Sequence, residues 1–391
     1  GHVVTFVVSL VGYVLLVRKH PVMLLGLPLL GLGFLAYVGG LRFTMYAVPI
    51  AAFGLGYGIV WCKEWFVTHF AKERSVALMG SVLVVVATLG ALYPNVMHVI
   101  NYRVSTVMNA SEVAQLEALG TQAGEEAYVI SWWDYGYPIR YYAKMRTLID
   151  GGKHSGSVNF PVSFILHANQ ARGANMARLE VEYTQQRYNT DQDNRTKNKE
   201  EQEILPNSNL AWMMQEYGYE DANLFLEEIN TLTQVPKTQE VYMYLPYRML
   251  SIMQTIAQFS SLDVMSGAPR RLPLFFMSPQ FQDSEDTLYL SGGVKLDKAR
   301  GVMHLGAQQV PLARFIQTRY EAGALVRETQ SLHPQGTLTL IFMEPYQMFL
   351  LVDEAMFAST FVQLFVLEAP DLRFFEPVSL TPWAKIYKLI P

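Results

Sequence analysis

Residues 76–93 read VALMGSVLVVVATLGALY and contain no charged side chain. A run of this length is close to the ~20 apolar residues that cross a bilayer as a helix. Three apolar runs precede it, at residues 3–17, 22–37 and 43–61, and the first two are short for complete spans. A secretory signal peptide is the alternative for the first run, but its positive charges follow the run and more apolar runs come after it. Hydropathy therefore predicts a membrane segment of four transmembrane helices at residues 1–95.

The loops between the apolar runs indicate the orientation of the chain. Positive charge is concentrated in the first and third loops, which contain Arg18, Lys19, His20, Lys63, Lys72 and Arg74. The second loop contains Arg42 alone. Because Lys and Arg are retained on the cytoplasmic side, the two basic loops are predicted inside, and everything after Tyr93 and Pro94 outside the cytoplasm. The chain would then also begin outside, and we expect other membrane helices to precede Gly1 in the full-length protein.

The composition argues against two classes of function. Of the 391 residues, 51% are hydrophobic and only 16% are charged, with 30 Lys and Arg against 34 Asp and Glu. A net charge of −4 without a basic tract argues against nucleic-acid binding, because nucleic-acid phosphates attract clustered cations. Cys62 is the only cysteine, so neither an intrachain disulfide nor a cysteine-based metal site is expected.

The sequence after the membrane segment first has the pattern of an α/β domain. Residues 127–130 predict a short buried strand, and residues 147–149 predict a second strand that ends in Asp150-Gly151-Gly152. Residues 163–183 are alanine-rich and predict a helix. The polar residues 185–203 contain few apolar side chains and predict a mobile loop.

The last third of the sequence consists of short segments in which apolar and polar residues alternate, which is typical of strands. The predicted fold class is therefore a membrane α-helical segment with four transmembrane helices, followed by an α/β extracytoplasmic domain with a β-rich C-terminal part. We place the α/β domain at residues 96–265 and the β-rich part at residues 266–391.

The first predicted strand is followed by two tryptophans and an acid, Trp132, Trp133 and Asp134. Large aromatic side chains lower solubility when they are exposed, so adjacent tryptophans in a loop usually contact a ligand or another part of the protein. The indole N–H groups donate hydrogen bonds and the carboxylate accepts them, which together suits a hydroxyl that needs both partners. A buried corner of the fold explains the same residues equally well.

The five residues Trp132-Trp133-Asp134-Tyr135-Gly136 resemble the signature of bacterial, PglB-like oligosaccharyltransferase catalytic subunits. The similarity covers the whole chain and is weakest from about residue 266 to 340. Four further stretches carry it: Gly39-Gly40-Leu41-Arg42-Phe43-Thr44, Asp150-Gly151-Gly152-Lys153-His154, Asn175-Met176-Ala177-Arg178 and Trp383-Ala384-Lys385-Ile386-Tyr387. The resemblance implies the C-terminal portion of an enzyme for asparagine-linked glycosylation. Such an enzyme transfers an oligosaccharide en bloc from a polyprenyl diphosphate to the Asn of an Asn-x-Ser/Thr sequon.

In that family the tryptophan motif binds the Ser or Thr at position +2 of the sequon, which implies acceptor-peptide binding by Trp132, Trp133 and Asp134. Met249 and Ile252 match the Met-x-x-Ile helix of bacterial members, which implies contact with the side chain at +2. Their spacing of three places both on one helical face. Apolar pairs at this spacing are also typical of a helix that packs into a core.

Three other residues resemble contacts to the lipid-linked oligosaccharide. Arg42 corresponds to the arginine that contacts the lipid diphosphate, and its planar guanidinium suits phosphate oxygens. Tyr137 and His154 correspond to further donor contacts. The alternatives are that Arg42 is an interfacial arginine that extends toward water and that His154 caps a turn.

The catalytic groups are expected outside this chain. The resemblance implies carboxylates that bind a divalent cation, Mg or Mn, and activate an amide nitrogen whose lone pair is delocalised. In the family these carboxylates belong to external loops that precede this region. Within residues 1–95 the only acids are Glu64 and Glu73, both assigned to the cytoplasmic loop. No catalytic residue and no metal ligand is therefore predicted here, and the chain alone is expected to be inactive.

The resemblance also implies partners and a location. The partners are a lipid-linked oligosaccharide, an acceptor protein or peptide and membrane lipid, in a single-subunit enzyme of the inner membrane. The protein would be multi-pass, with its soluble domain in the periplasm. Two alternatives remain open: a non-catalytic, membrane-anchored module that binds sequons, and a lipid-linked sugar transferase with a non-protein acceptor. A measurement of peptide binding distinguishes the second alternative from the oligosaccharyltransferase, because a transferase with a non-protein acceptor does not need Trp132 and Asp134.

Overall fold

The computed structural model describes residues 3–70, 74–104, 106–198, 200–232 and 235–390. The chain forms two compact units, Gly1–Thr106 and Val107–Pro391. The first unit, called the membrane unit below, contains the apolar helices. The second, called the soluble unit, combines helices with β-sheets.

The membrane unit consists of helices that follow the apolar runs: α1 (Val3–Lys19), α2 (Leu27–Phe34), α3 (Ala36–Gly39), α4 (Thr44–Phe70) and α5 (Arg74–Asn101). Within the described residues, three segments are long and apolar enough to cross a bilayer: Pro21–Gly39, Leu41–His69 and Leu78–Asn101. Helix α1 has only 17 residues. At 1.5 Å per residue it is about 26 Å long, which is short of the ~30 Å hydrocarbon core. Three of the four predicted spans therefore meet the length requirement, and the fourth stays a prediction.

Helices α1 and α4 approach each other closely through glycines. A Cβ atom on Gly12 would overlap the carbonyl oxygen of Gly54, so neither helix has room for a larger residue there. Glu64 lies within α4 and forms an ion pair with Lys19, with the Lys19 Nζ and Glu64 Oε2 atoms 3.6 Å apart. This contact places the residues after α1 beside the second half of α4, which is the arrangement that two loops on one side of a membrane require. Lys72, used in the orientation argument, and Glu73, the second acid assigned to the cytoplasmic loop, lie outside the described residues.

The soluble unit alternates strands and helices in its first part and is dominated by strands after residue 274. Its helices are α6 (Ala110–Ala123), α7 (Gly136–Pro138), α8 (Asn159–His167), α9 (Gln170–Asn194), α10 (Asn209–Tyr217), α11 (Ala222–Glu228), α12 (Met249–Ser260) and α13 (Glu354–Phe357). Its strands are β1 (Tyr128–Ile130), β2 (Arg146–Thr147), β3 (Val241–Pro246), β4 (Phe275–Ser278), β5 (Phe281–Asp283), β6 (Thr287–Leu290), β7 (Lys295–Asp297), β8 (Val302–Leu305), β9 (Gln308–Glu321), β10 (Ala324–Ser331), β11 (Leu338–Met343), β12 (Met348–Asp353), β13 (Phe375–Leu380) and β14 (Ala384–Leu389).

A five-stranded sheet with the order β13-β14-β3-β1-β2 forms the centre of the α/β part. Strand β1 is parallel to both of its neighbours, whereas β14 is antiparallel to β3 and β13. All residues of β1 and β3 are buried, as expected for parallel strands that are covered on both faces. The strand predicted at residues 127–130 is confirmed as β1. The second predicted strand is displaced, because β2 ends at Thr147 and the buried Leu148 and Ile149 follow it.

The loop predicted at residues 185–203 is wrong in its first half, because α9 continues to Asn194. Polar contacts to neighbouring elements hold this part of the helix. The Tyr128 hydroxyl donates a hydrogen bond to Gln185 Oε1 over 3.0 Å, and Arg146 donates to the same oxygen over 2.6 Å. Arg187 donates to Asn209 Oδ1 over 2.9 Å. These bonds compensate for the few apolar residues that the helix contributes here.

The β-rich part contains a nine-stranded sheet with the order β4-β12-β11-β9-β8-β7-β6-β5, and β10 pairs with β9. Its neighbouring strands are antiparallel except for β9 and β11, which are parallel. An apolar core of its own supports this sheet: Leu288, Leu290, Leu296, Met303, Leu312, Leu338, Leu340, Phe349 and Leu351. The predicted β-rich C-terminal part is therefore confirmed.

A buried ion pair joins the two sheets. Lys385 of β14 is 1% exposed and donates hydrogen bonds to the carboxylate of Glu368 and to the hydroxyl oxygen of Tyr320, which belongs to β9. The Tyr320 hydroxyl in turn donates to Glu368 over 2.6 Å. Because each charge is already desolvated, removing one partner leaves the other buried and uncompensated.

We expect Lys385→Ala to lower the free energy of unfolding by about 3–5 kcal/mol, because the Glu368 carboxylate would lose its counter-charge in the interior. Thermal or denaturant unfolding of the purified protein measures this loss.

Lys388→Ala is the matched control, since Lys388 lies on the same strand and pairs with Glu240 at the surface. An exposed pair contributes about 0–1 kcal/mol, so this variant should unfold nearly as the parent does. If the two variants lose the same free energy of unfolding, the buried ion pair contributes no more to stability than the exposed one.

Candidate functional site

The tryptophan motif, residues Trp132 to Gly136, follows directly after the carboxyl end of β1. Trp132 is extended, and the next three residues form a single 3-10 turn that leads into α7 and then into a π-helical turn at Ile139–Ala143. Side chains at the carboxyl ends of parallel strands commonly form binding sites, because the chain leaves the sheet there.

The first tryptophan of the motif is part of the core. Trp132 is 3% exposed, and its ring lies 5.3 Å from the ring of Phe259 on α12, measured between centroids. Met249, at the start of the same helix, is also buried, and Ser131 donates a 3.9 Å hydrogen bond to its sulfur. Ile252 is only partly buried. Helix α12 therefore supports the motif with Met249 and Phe259 and leaves Ile252 accessible.

The next two residues of the motif are accessible. Trp133 is half-buried and Asp134 is exposed. The Trp133 ring stacks on the imidazole of His154, with centroids 4.5 Å apart and planes at 25°. Partial desolvation raises the pKa of Asp134 above its ordinary value, and the nearby His154 opposes this rise when it is protonated. The structure thus brings together Trp133, Asp134 and His154, which the sequence had assigned to two different ligands.

The Asp150 loop, residues Asp150 to His154, is folded around one carboxylate. Asp150 Oδ1 accepts hydrogen bonds from the backbone N–H groups of Gly152 and Lys153 over 2.8 and 3.0 Å. Asp150 Oδ2 accepts from Arg140 over 2.7 Å. Burial alone would raise the pKa of Asp150, but the hydrogen bonds from Gly152, Arg140 and Lys153 outweigh it and hold this pKa below its ordinary value. The carboxylate is therefore ionised at neutral pH.

The tryptophan motif and the Asp150 loop touch through glycines. A Cβ atom on Gly136 would lie 2.5 Å from Asp150 Cβ and 2.6 Å from the carbonyl oxygen of Ile149. A Cβ atom on Gly151 would lie 2.6 Å from the ring of Tyr137. Tyr137 itself is 57% exposed and covers this loop. The last residue of the motif is thus glycine because two backbone segments meet there.

Arg248 is a supporting residue to which the sequence reasoning assigned no role. Its guanidinium donates a 2.8 Å hydrogen bond to the buried Glu112 on α6 and lies 5.9 Å from the ring centre of Tyr135. Tyr135 is buried, and this burial raises its pKa to about 12. Its position directly before the Met249 helix is the only feature of the sequence that indicates a role for Arg248. Asp150 belongs to one of the stretches that carry the family resemblance, but no sequence pattern links it to Arg140.

Arg42 belongs to the membrane unit and lies in a 3-10 turn, Leu41–Phe43, between α3 and α4. It is exposed, and its guanidinium carbon lies 5.7 Å from the ring centre of Phe43. Its role at a diphosphate stays a prediction. Among the described residues there is no group of three His, Cys, Asp or Glu side chains that could hold a metal ion. These residues therefore do not fit a divalent-cation site, and we assign no metal ligand to them.

Comparison with known proteins matches the chain to one family. The STT3/PglB/AglB core domain matches residues 125–266, and the STT3/PglB C-terminal beta-barrel domain matches residues 274–352. The crystal structure of the Campylobacter jejuni PglB C-terminal domain is similar with a TM-score of 0.61 and 32% identity, over 71% of this chain and 99% of that one. The chain belongs to the STT3/PglB family. Its apolar helices and this membership together indicate a membrane-anchored protein.

Relatives within the STT3/PglB family are named as glycotransferases. The chain is 35% identical to the undecaprenyl-diphosphooligosaccharide–protein glycotransferase of two Campylobacter jejuni strains, over its whole length and 53% of theirs. It is 25% identical to dolichyl-phosphooligosaccharide–protein glycotransferase 2 of Pyrococcus furiosus, over 38% of this chain and 18% of that protein. The chain thus spans about half the length of the Campylobacter relatives.

We expect Gly136→Ala to destabilise the protein by about 1–3 kcal/mol, the usual cost of forcing an extra carbon into a packed site. The methyl group would push the tryptophan motif away from Asp150, so the unfolding temperature should fall.

The control is Gly90→Ala, because a Cβ atom at this helical position has no described atom within 4 Å. Its unfolding temperature should stay at or above that of the parent, since alanine favours helix. A Gly136→Ala protein as stable as the parent would contradict the close contact.

Proposed function

We propose that this chain is part of an oligosaccharyltransferase that moves an oligosaccharide en bloc from a polyprenyl diphosphate to the Asn of an Asn-x-Ser/Thr sequon. The observation that carries the proposal is the position of Asp134. It is an exposed carboxylate at the end of a buried strand, beside a half-buried indole that stacks on His154. The glycotransferase names of its relatives support the chemistry.

Acceptor recognition is assigned to the accessible part of the motif. The hydroxyl of Ser or Thr at +2 would donate to the Asp134 carboxylate and accept from the Trp133 indole N–H. Ile252 would provide an apolar wall for the methyl group of Thr. Trp132 and Met249 are buried, so we propose that they act on the peptide by supporting Trp133 and Asp134 from beneath.

Donor recognition is assigned to His154 and Tyr137, which lie next to the acceptor groups, and to Arg42 for the diphosphate. The stack of Trp133 on His154 supports this assignment, because transfer requires the two substrates to be held side by side. Exposed aromatic and imidazole groups suit a sugar, which offers apolar ring faces as well as hydroxyls.

The remaining parts of the reaction are assigned outside this chain. We propose that a divalent cation, Mg or Mn, and the carboxylates that activate the amide are supplied by preceding loops of a single-subunit enzyme. The soluble unit would then lie in the periplasm, and the protein would span the inner membrane several times. This chain alone would bind an acceptor peptide without transferring sugar.

A transfer assay separates these functions. The full-length protein is incubated with a lipid-linked oligosaccharide and with peptides that contain Asn-x-Thr or, as the control, Asn-x-Ala, and the products are weighed by mass spectrometry. Transfer to the first peptide alone is expected. Peptide binding without transfer would favour the sequon-binding module. Transfer of the sugar from the donor to a lipid or polymer acceptor, but not to peptide, would favour a lipid-linked sugar transferase.

We expect Asp134→Ala to weaken acceptor-peptide binding by over ~1.5 kcal/mol, about tenfold or more, because a hydrogen bond to a charged group is lost. A fluorescence titration of the full-length enzyme with labelled peptide measures the affinity. Because ionised Asp134 is a stronger acceptor than the protonated acid, and its pKa is raised, affinity should fall on acidification at a higher pH than for an ordinary aspartate.

The matched control is Asp191→Ala, which removes another exposed carboxylate outside the motif. It should bind peptide as the parent does. Unchanged affinity in the Asp134→Ala enzyme would reject the assignment of this residue.

Ile252→Ala should narrow the preference for Thr over Ser at +2. One buried methyl group contributes about 0.8 kcal/mol, so the parent enzyme is expected to prefer Thr over Ser only a few-fold. The ratio of transfer rates to matched Thr and Ser peptides measures it. Ile204→Ala serves as the control, because Ile204 is 94% exposed and lies outside α12 and the tryptophan motif. An identical ratio in the parent and in Ile252→Ala would contradict the contact.

A further inference from the structure

Asp150 lies at the junction of the two binding segments without being exposed to a ligand. Its side chain is buried, with the whole residue 7% exposed. It accepts hydrogen bonds from both segments: from Gly152 and Lys153 of its own loop, and from Arg140 of the helical turn that follows the tryptophan motif. The loop is closed by a pair of backbone hydrogen bonds between Asp150 and Lys153, 3.0 and 3.1 Å long.

We propose that Asp150 is a positioning residue that holds His154 against Trp133 and thereby couples donor recognition to acceptor recognition. This inference rests on the proposed function, because it takes His154 as a donor contact and Trp133 as an acceptor contact. It adds a residue that touches neither substrate to those that determine their binding.

The geometry supplies the physical reason. One carboxylate fixes the direction of the loop backbone at Gly152 and Lys153, and therefore the position of His154, the next residue. The same carboxylate forms an ion pair with Arg140, which fixes the position of the loop relative to the segment that carries Trp133. Both sets of contacts therefore help to hold His154 in its stack on Trp133. Without the carboxylate, the loop keeps its backbone hydrogen bonds and the 2.7 Å bond that Asn159 donates to the His154 carbonyl oxygen. It loses its link to Arg140, and therefore to the segment that carries Trp133.

A substitution at Asp150 should disturb the position of the loop more than it lowers the free energy of unfolding. The Arg140 side chain is 59% exposed, so it remains solvated when Asp150 is neutral or absent. The neighbouring Lys153 and His154 are exposed as well. No cation is therefore left buried by a substitution at Asp150, and the global cost should be small compared with the loss of loop order. A purely structural aspartate would show the opposite balance.

The test uses the full-length enzyme and measures KM for the lipid-linked donor, KM for the peptide, kcat and the unfolding temperature. Asp150→Ala should raise both KM values about tenfold or more, the usual weight of a hydrogen bond to a charged group. Asp150→Asn keeps an oxygen acceptor for the loop backbone but loses the charge, so its KM values should lie between. Arg140→Met should raise both KM values, whereas Arg140→Lys, which keeps the charge, should restore them in part.

A double substitution tests whether Asp150 acts through His154. If it does, His154→Ala combined with Asp150→Ala should lose no more than His154→Ala alone, because one interaction cannot be lost twice. Losses that add would overturn the proposal.

Asp371→Ala is the matched control. Asp371 also accepts a backbone N–H and a guanidinium, both from Arg373, but belongs to a turn outside the site. It should leave both KM values unchanged. The proposal is overturned if Asp150→Ala lowers only the unfolding temperature or the yield of active enzyme, or if it matches Asp371→Ala in both KM values. An unmodified enzyme that transfers no sugar would instead reject the proposed function.

Discussion

The backbone contact between Gly136 and Asp150 is the constraint on which the arrangement of the site depends. Strands β1 and β2 are parallel neighbours, so the chain leaves both at the same edge of the sheet. The segments that follow them meet there, and only a glycine lets them come so close. Tyr137 can then lie on Gly151, and His154 can reach Trp133. Trp133, Tyr137 and His154 therefore take their relative places from this single approach of two backbones.

The motif is divided into a buried and an accessible half. Trp132 and Tyr135 are buried, while Trp133 is half-buried and Asp134 is exposed. Helix α12 packs against Trp132 through Phe259. Two large buried aromatic side chains have little freedom of their own, so the residues between them are held in one orientation. This explains how accessible groups on a loop can have the rigidity that selective binding requires.

Local sequence patterns predicted the parts of the fold that are determined locally. The apolar run at residues 127–130 was sufficient to predict β1, and hydropathy predicted apolar helices, three of which have the length to span a membrane. The polar second half of α9 could not be predicted, since its partners on β1 and β2 are distant in sequence. The pairing of Arg140 with Asp150 leaves no periodic signal, because the two residues lie ten positions apart, across a helical turn and a strand. The resemblance supplied the candidate residues, and the three-dimensional arrangement supplied their relation to one another.

The pairing of β14 with β3 has a consequence for how the protein is made. Strand β3 is the middle strand of the central sheet, yet its partner β14 is synthesised only after the entire nine-stranded sheet. Until then β3 presents an open backbone edge with unpaired N–H and C=O groups, which is a template for incorrect strand addition. The nascent chain therefore needs protection until β14 is made, and loss of the last strand would leave a molecule prone to aggregate even with every residue of the candidate site intact.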